Sequence, residues 1–448
     1  MKQMNWKTIK SILFILAILT GPHALAQVEV KDSVSKKMSV NTIRTNEMIH
    51  HTHLIGEGSQ NNRDSLEYLL NIFYYDQFRH FQDPRAPYFM FMSKNGDLAF
   101  GVGGQLKMKG YFDWNGSIPS ADFSPYDIPI PAVPSDAHNL SATAQGTGLF
   151  FTLLGKNRRL GNYMAYFQAD FSGYNHRGFR LKKAYFTVGD WTAGYTTSTF
   201  EDTKAEPSTV DGAGPNGITS RKNMLVRYTH SFKKHWSVAA SLEFPSQSIN
   251  ADGEYTSDAN PYIPDLAAFA QYQWNGGDSH LRLSGLLRTL SYRNLVEQKN
   301  TNITGWAIQL SSVITPLPSL NVFAIADYGR GHASYTVDLG NGAFDLVPDV
   351  THGKLYAPYS FGYVVGTEYF FTPKVYSNIA LSQQIYFPKD TPGDGSSYKY
   401  GFYAVANLFW SITPRFEVGG EYLYGLRRNI DGRHKSADRI MVQMMLSF

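Results

Sequence analysis

The sequence predicts an all-β protein, a 16-stranded antiparallel transmembrane β-barrel, and two observations carry this prediction. From Tyr88 onward, apolar and polar side chains alternate in one segment after another, which is typical of strands whose two faces meet different environments. The connections between these segments alternate between short and long. Barrels that span an outer membrane have this pattern, because their short turns lie on one side and their long loops on the other.

The first 26 residues are predicted to be a signal peptide that is cleaved after Ala26. Lys2, Lys7 and Lys10 precede a short apolar run, SILFILAILT, and the tripeptide ALA then supplies a cleavage site of small residues. A single membrane anchor is the alternative, but the run is shorter than the roughly 20 residues of a spanning helix. Cleavage lowers the formal net charge from +4 to +1. A nearly neutral chain argues against a nucleic-acid partner.

Residues 27–86 are expected to form a periplasmic segment ahead of the barrel. The stretch RDSLEYLLNIFYYDQFRHF has apolar residues at helical spacing after Asp64, a potential N-cap, and predicts one short helix. The cluster IHHTH contains His50, His51 and His53, but no neighbouring Cys or acidic cluster completes a set of ligands. No metal site and no cofactor are therefore predicted, and the absence of Cys excludes disulfides.

The barrel is predicted to occupy residues 87–448, and an even number of strands places both of its ends on the short-turn, periplasmic side. A large soluble β-sandwich is the alternative, but it does not explain why all long connections fall at one end. The predicted strands are 97–114, 144–155, 161–173, 178–189, 191–200, 221–232, 235–244, 262–274, 279–292, 302–315, 319–332, 360–372, 374–387, 399–412, 415–427 and 437–448.

One face of each strand is expected to meet lipid. Lipid offers no hydrogen bonds to the backbone, so the strands must close into a barrel with apolar side chains outward and aromatic side chains at both interfaces. Strand 399–412 carries Phe402, Leu408 and Trp410 on one face, and the last strand ends on Phe448. We therefore expect outer-membrane lipid as a partner and the bacterial outer membrane as the location.

The opposite faces are expected to line a wide, polar, water-filled lumen, because sixteen strands enclose more space than side chains fill. Arg180 and Lys182 share one face of their strand. Acidic residues, among them Glu417 and Glu421, also point inward, and pairing with them across the wall is the alternative role of each basic residue. The basic residues that alternation places inside are Lys107, Lys109, Arg227, Arg282, Arg288 and Arg439.

Several stretches resemble the DcaP-like outer-membrane porin family. TTSTFED, DGAGPNG and SRKNMLVRYT are similar to successive parts of one region of that family, and GVGGQLKMKGYFDW is similar to its first strand. The resemblance covers roughly residues 60–448. It implies a homotrimer of sixteen-stranded barrels, a periplasmic N-terminal extension, and diffusion of small anions such as dicarboxylates. By position, it places Arg180, Lys182, Arg221 and Arg227 near the constriction.

The connection 201–220 is the third long loop, which in general porins folds into the barrel and narrows it. The residues of this loop expected at the constriction are Glu201, Asp202, Lys204, Glu206 and Asp211. The sequence thus predicts a porin for passive diffusion of small, preferentially anionic solutes, and no enzyme. An outer-membrane hydrolase or adhesin without channel activity is the alternative. The acids of the loop weaken the expected preference for anions, and the N-terminal segment is a poor coiled coil.

Overall fold

The structure is a computed structural model that describes residues 53–55, 87–173, 178–232, 235–389 and 397–448. The signal peptide, the helix expected near 64–74, His50 and His51 lie outside the described residues. Within the described ranges, no helix is long and apolar enough to cross a membrane.

Sixteen antiparallel strands form a closed barrel, as the sequence predicts. Each strand pairs with its neighbours in the chain, and the last pairs with the first, with Ser447 opposite Gln105 and Asp438 opposite Trp114. The ladder therefore leaves no open edge. The strands are β1 Leu98–Trp114, β2 Gly148–Asn157, β3 Gly161–Asp170, β4 Arg180–Val188, β5 Trp191–Thr197, β6 Lys222–Phe232, β7 Trp236–Glu243, β8 Asp265–Trp274, β9 Ser279–Asn294, β10 Lys299–Leu317, β11 Leu320–Arg330, β12 Tyr359–Thr372, β13 Val375–Phe387, β14 Tyr398–Thr413, β15 Phe416–Asn429 and β16 His434–Ser447.

Short elements extend the barrel at its rims and in its loops. Strand Phe89–Met92 pairs with β1 beyond the end of β16, where the Phe448 amide also donates to the Gly104 carbonyl. The other short strands are His53–Ile55, His138–Thr143, Thr256–Asp258, Val347–Pro348 and Leu355–Tyr356. The 3₁₀ turns are Pro125–Asp127, Pro134–Asp136, Thr203–Ala205, Asn275–Gly277, Ala333–Tyr335 and Leu339–Asn341.

The outer face of the barrel is apolar, as the sequence predicts. Leu408 and Trp410 of β14 are about half exposed. Aromatic pairs lie near both ends of the wall: Trp236 contacts Tyr272 beside the short turns, and other aromatic side chains pack near the long loops. Such girdles are typical of a barrel that spans a bilayer.

The interior differs from the wide polar lumen that the sequence predicts, because apolar side chains also point inward. Phe123, from the loop between β1 and β2, packs on Tyr403 of β14, and Ile218 packs with Phe323 of β11. The inward-folded loops bring apolar side chains with them, and the wall provides matching apolar positions. Long loops thus dock inside the barrel through hydrophobic burial.

The wall of the barrel is low on one side. Strands β2, β3, β4 and β5 have 10, 10, 9 and 7 residues, whereas β9 and β10 have 16 and 19. A tilted strand needs about 9–11 residues to cross a bilayer. On the low side, β5 therefore falls short of this length.

Candidate functional site

The constriction loop (residues 201–220) crosses the inside of the barrel from β5 to the far wall. The backbone amides of Val210 and Asp211 donate to the Glu421 carboxylate of β15 at 2.7 and 2.8 Å. The Gly217 amide donates to the Ser382 hydroxyl of β13 at 2.7 Å. These contacts fix the loop across the inside of the barrel.

The loop lies directly on the far wall at Gly217. A Cβ at this position would lie 2.5 Å from the carbonyl oxygen of Tyr363 and 2.8 Å from that of Gln383. Only glycine permits such a close approach of two backbones. The glycine-rich sequence of the loop is therefore explained at this point by its docking.

A buried charge network anchors the near end of the loop. The Asp202 carboxylate lies 2.8 Å from His280 Nε2, accepts a hydrogen bond from the Ser311 hydroxyl at 2.5 Å, and lies 3.5 Å from Arg282 Nη1. Burial alone would raise the pKa of Asp202, but Arg282 and His280 together hold that pKa well below its usual range. Asp202 is therefore ionised and tied to β9 and β10.

Two further loops fold inward and pack on the constriction loop. These are the first loop (residues 115–147) and the sixth loop (residues 331–358). Ser220 donates through its amide to the Tyr335 carbonyl, and the Val337 amide donates to the Ile218 carbonyl. The constriction loop and the sixth loop thus form a small ladder.

One buried carboxylate of the sixth loop joins all three loops. Asp338 accepts hydrogen bonds from the Ser124 hydroxyl at 2.7 Å, the Tyr126 amide at 2.9 Å and the Asn216 side chain at 3.1 Å. Ser124 and Tyr126 belong to the first loop, and Asn216 belongs to the constriction loop. The lumen is therefore narrowed by three connected loops, whereas the sequence indicated one.

Several basic residues that were expected to line water lie on the inner wall beneath these loops. Arg439 is fully buried, pairs with Asp113, and donates to the Ile118 and Ala121 carbonyls of the first loop at 3.1 Å. Its role in the structure is to hold the loop. The others that are buried in the same way are Lys109, Arg227, Arg282 and Arg288.

Arg288 holds the sixth loop against the wall, in the way that Arg439 holds the first loop. Its guanidinium lies 3.0 Å from Asp265 and 3.2 Å from Asp345, and it donates to the Gly331 carbonyl at 2.8 Å. Arg227 donates to the Thr197 carbonyl at 3.2 Å, next to the start of the constriction loop. Alternation predicts the inward direction of these side chains correctly. Their burial follows from loops that alternation does not describe.

Of the basic residues that the sequence places at the pore, those that keep contact with solvent lie on one side of the lumen. They are Lys107 on β1, Arg180 and Lys182 on β4, and Arg221 just before β6. Arg180 and Lys182 both contact the Asp170 carboxylate at 3.2 Å. By contrast, the inner face of β9 to β13 is covered by loops at Ser284, Gln309, Asp327 and Ser382.

A β-bulge in β4 adds a basic residue, Lys183, to the same inner face. Gln168 of β3 pairs with Lys183, and Ala169 pairs with Leu181, so Lys182 is an additional residue in the ladder. Strict alternation would turn Lys183 outward. The outward direction of Phe186 is the signal that reveals the bulge. Side chains three residues apart on a regular strand face opposite ways, so an outward Phe186 implies an inward Lys183.

The ionisable side chains of the constriction loop have shifted pKa values. Burial raises the pKa of Glu201 to about 7, against the opposing charges of Lys222 and Lys183. Burial, with the charges of Glu201 and Asp202, raises the pKa of Glu206 well above its usual range. Burial and the Asp122 carboxylate raise the pKa of Asp211 to about 7. These acids carry less negative charge near neutral pH than the sequence alone indicates.

Lys204 is the basic side chain of the constriction loop. Burial and the nearby charge of Arg282 lower its pKa to about 8.

Among the described residues, no group of three or more His, Cys, Asp or Glu side chains is arranged to hold a metal ion.

Comparisons with known proteins agree with this architecture. The family described as DcaP outer membrane protein matches residues 96–329, more than half of the chain. The crystal structure of the outer membrane channel DcaP of Acinetobacter baumannii is similar with a TM-score of 0.68 and 20% sequence identity. That similarity covers 80% of this chain and 99% of the Acinetobacter chain.

An anion-selective porin from Comamonas acidovorans is also similar, with a TM-score of 0.54 and 8% identity, over 79% of this chain and 100% of the porin. At these identities, the two structures support the fold alone. A search of curated proteins found no match. Because the family match extends over more than half of the sequence and the barrel is closed, this chain belongs to the DcaP outer membrane protein family, a family of channels and not of enzymes.

Proposed function

We propose that the protein is a passive diffusion channel for small hydrophilic solutes with a preference for anions, dicarboxylates among them. The observation that carries the proposal is the one-sided lumen: solvent reaches Lys107, Arg180, Lys182 and Lys183, whereas the inner face of β9 to β13 is covered by loops. A solute that passes the constriction therefore moves along the basic wall of β1 and β4. Basic residues that line a narrow pore favour anions.

The constriction loop supports an anion preference more than its composition indicates. The raised pKa values of Glu206 and Glu201 reduce their negative charge near neutral pH. Asp202 is ionised, but its negative charge is paired with His280 and Arg282. The remaining charges at the accessible surface are mainly positive, so the electrostatic potential there attracts anions.

Solute uptake by proteoliposomes tests this proposal. Succinate and a neutral solute of similar size, erythritol, are offered to liposomes that contain the purified protein, and swelling rates are compared. We expect both solutes to enter, succinate faster, with a difference that shrinks at high salt because screening shortens the electrostatic field. Entry of neither solute would reject the channel and favour a non-conducting barrel such as an adhesin.

We also propose that the channel is a homotrimer, in which the low side of the wall contacts a second copy. Strand β5 has 7 residues, fewer than the roughly 9–11 that cross a bilayer, so lipid alone would cover this wall poorly. Phe179, Phe186 and Trp191 are exposed on its outer face. Native mass spectrometry in mild detergent should give three copies per particle, and a monomer alone would reject the trimer.

Export and domain organisation are part of the same proposal. We infer that residues 1–26 are removed, that 27–86 lie in the periplasm, and that 87–448 form the barrel in the bacterial outer membrane. The charged and apolar N-terminal pattern supports cleavage after Ala26. Mass spectrometry of the protein from isolated outer membranes should find Gln27 as the first residue. A retained Met1 would reject the cleavage.

A further inference from the structure

Three basic side chains of β4 share the inner face, but they differ in their surroundings. Arg180 and Lys182 both lie 3.2 Å from the same Asp170 carboxylate oxygen. Lys183 has no carboxylate within 4.0 Å of its ammonium group among the described residues. The charges of Arg180 and Lys182 are thus partly offset at short range, and that of Lys183 is not.

The bulge explains how adjacent lysines have these different surroundings. In the ladder, Gln168 pairs with Lys183 and Ala169 pairs with Leu181, which leaves Lys182 as the additional residue. A bulge changes the direction of side chains in this way. Lys182 extends to Asp170 at the end of β3, whereas Lys183 keeps the regular inward position opposite Gln168.

Lys183 also lies within electrostatic reach of the constriction loop. Its charge opposes the rise in the pKa of Glu201 and of Glu206, and both residues belong to that loop. Lys183 retains contact with solvent. Its place in the ladder puts it on the inner face of β4, next to β5, from which the constriction loop begins.

We propose that Lys183 is the residue that determines the anion preference of this channel, and that the β4 bulge makes this possible by directing Lys182 to Asp170. The inference rests on the proposed anion-preferring channel and identifies the side chain that sets the preference. An anion at the inner face of β4 meets the Lys183 ammonium with no carboxylate within 4.0 Å of it among the described residues, whereas Arg180 and Lys182 share Asp170. Arg180 and Lys182 act as a pair with Asp170 and contribute less at this point.

Reversal potentials of the full-length protein in planar bilayers under a KCl gradient test the inference. The variants are Lys183→Ala and, as a matched control, Lys182→Ala, because each removes one positive charge from the same strand. We expect Lys183→Ala to lower the chloride-to-potassium permeability ratio by about threefold or more. Lys182→Ala should lower the same ratio by less than half of that factor. Lys183→Arg should preserve the ratio, which shows that charge and not packing is responsible.

Three outcomes decide between the claims. If Lys182→Ala changes the ratio as much as Lys183→Ala does, selectivity follows the total charge and the inference is overturned. If the wild type prefers anions and Lys183→Ala changes nothing, the inference fails and the proposed function stands. If the wild type prefers cations, the proposed function and the inference fail together.

Discussion

Arg282 lies on the inner wall with none of its side chain exposed, held between Gln271 of β8 and the constriction loop. Its guanidinium is also 3.5 Å from Asp202. Removal of one partner from a buried ion pair leaves the other charge without compensation, at a cost of about 3–5 kcal/mol. At the scale of single residues, this arginine stabilises the loop that narrows the lumen.

Arg282→Ala should therefore release the near end of the constriction loop. We expect a lower thermal unfolding temperature in detergent and a larger, noisier single-channel conductance. Arg293→Ala is the control, because among the described residues Arg293 donates hydrogen bonds at the surface, to Asn300 and Gln298. An Arg282→Ala channel with the conductance and the stability of the wild type would show that Arg282 does not hold the loop.

The pH dependence of selectivity is a second prediction at this scale. Glu201, with a pKa of about 7, gains negative charge as pH rises from 5 to 9, and Lys204, with a pKa of about 8, loses positive charge. Both changes act in the same direction, so the anion preference should be strongest at pH 5 and weakest at pH 9. Reversal potentials at pH 5, 7 and 9 measure this, and an anion preference that grows with pH would contradict it.

Sequence patterns predict the direction of a side chain more reliably than its surroundings. Alternation places Arg282, Arg288 and Arg439 inside the barrel, where the structure has them. It does not reveal that they are covered, because the covering loops come from distant parts of the chain. It also gives the wrong direction for Lys183, because a bulge adds one residue to the ladder.

At the scale of elements, the strands follow from alternation to within a few residues. The segment predicted as 399–412 is Tyr398–Thr413, and the last strand, predicted as 437–448, is His434–Ser447. The constriction loop was expected from its position in the chain. The inward folding of the first and sixth loops was not, since aperiodic segments carry no pattern that tells inside from outside.

The docking of the constriction loop gives a prediction at the scale of elements. Gly217→Val should displace the loop from β12 and β13, because the new Cβ would lie 2.5 Å from the Tyr363 carbonyl oxygen. We expect an altered conductance and faster cleavage of the loop by protease. Gly285→Val is the control, since a Cβ at Gly285 has no atom within 4 Å. If the two variants behave alike, close docking at Gly217 is not important for the channel.

At the scale of the whole molecule, the barrel combines a tall lipid-facing side with a low side. Leu408 on β14 and Phe186 on β4 are exposed to similar extents, 52% and 54%, but they lie on walls of different height. Exposure alone therefore does not distinguish a surface for lipid from a surface for a second copy. The sequence suggested a trimer mainly through family resemblance, with the aromatic-rich outer faces as weaker support. It could not show the low wall, because strand height follows from the pairing of the complete barrel.

Truncation of these two side chains separates the roles of the two walls. Phe186→Ala should lower the temperature at which trimers dissociate in detergent, because a large aromatic side chain at a subunit contact contributes about 2 kcal/mol or more. Leu408→Ala should leave dissociation unchanged, since its neighbour is lipid. Equal effects of the two substitutions on dissociation would argue against a trimer contact at the low wall.

The zero-current reversal potential of the wild-type channel is the most direct test of the account. Purified protein in a planar bilayer, with KCl at different concentrations on the two sides, should give stepwise, ohmic conductance and a reversal potential displaced toward that of chloride. The displacement should shrink as the salt concentration rises, because screening weakens the basic wall of β1 and β4. A reversal potential displaced toward that of potassium would contradict the account.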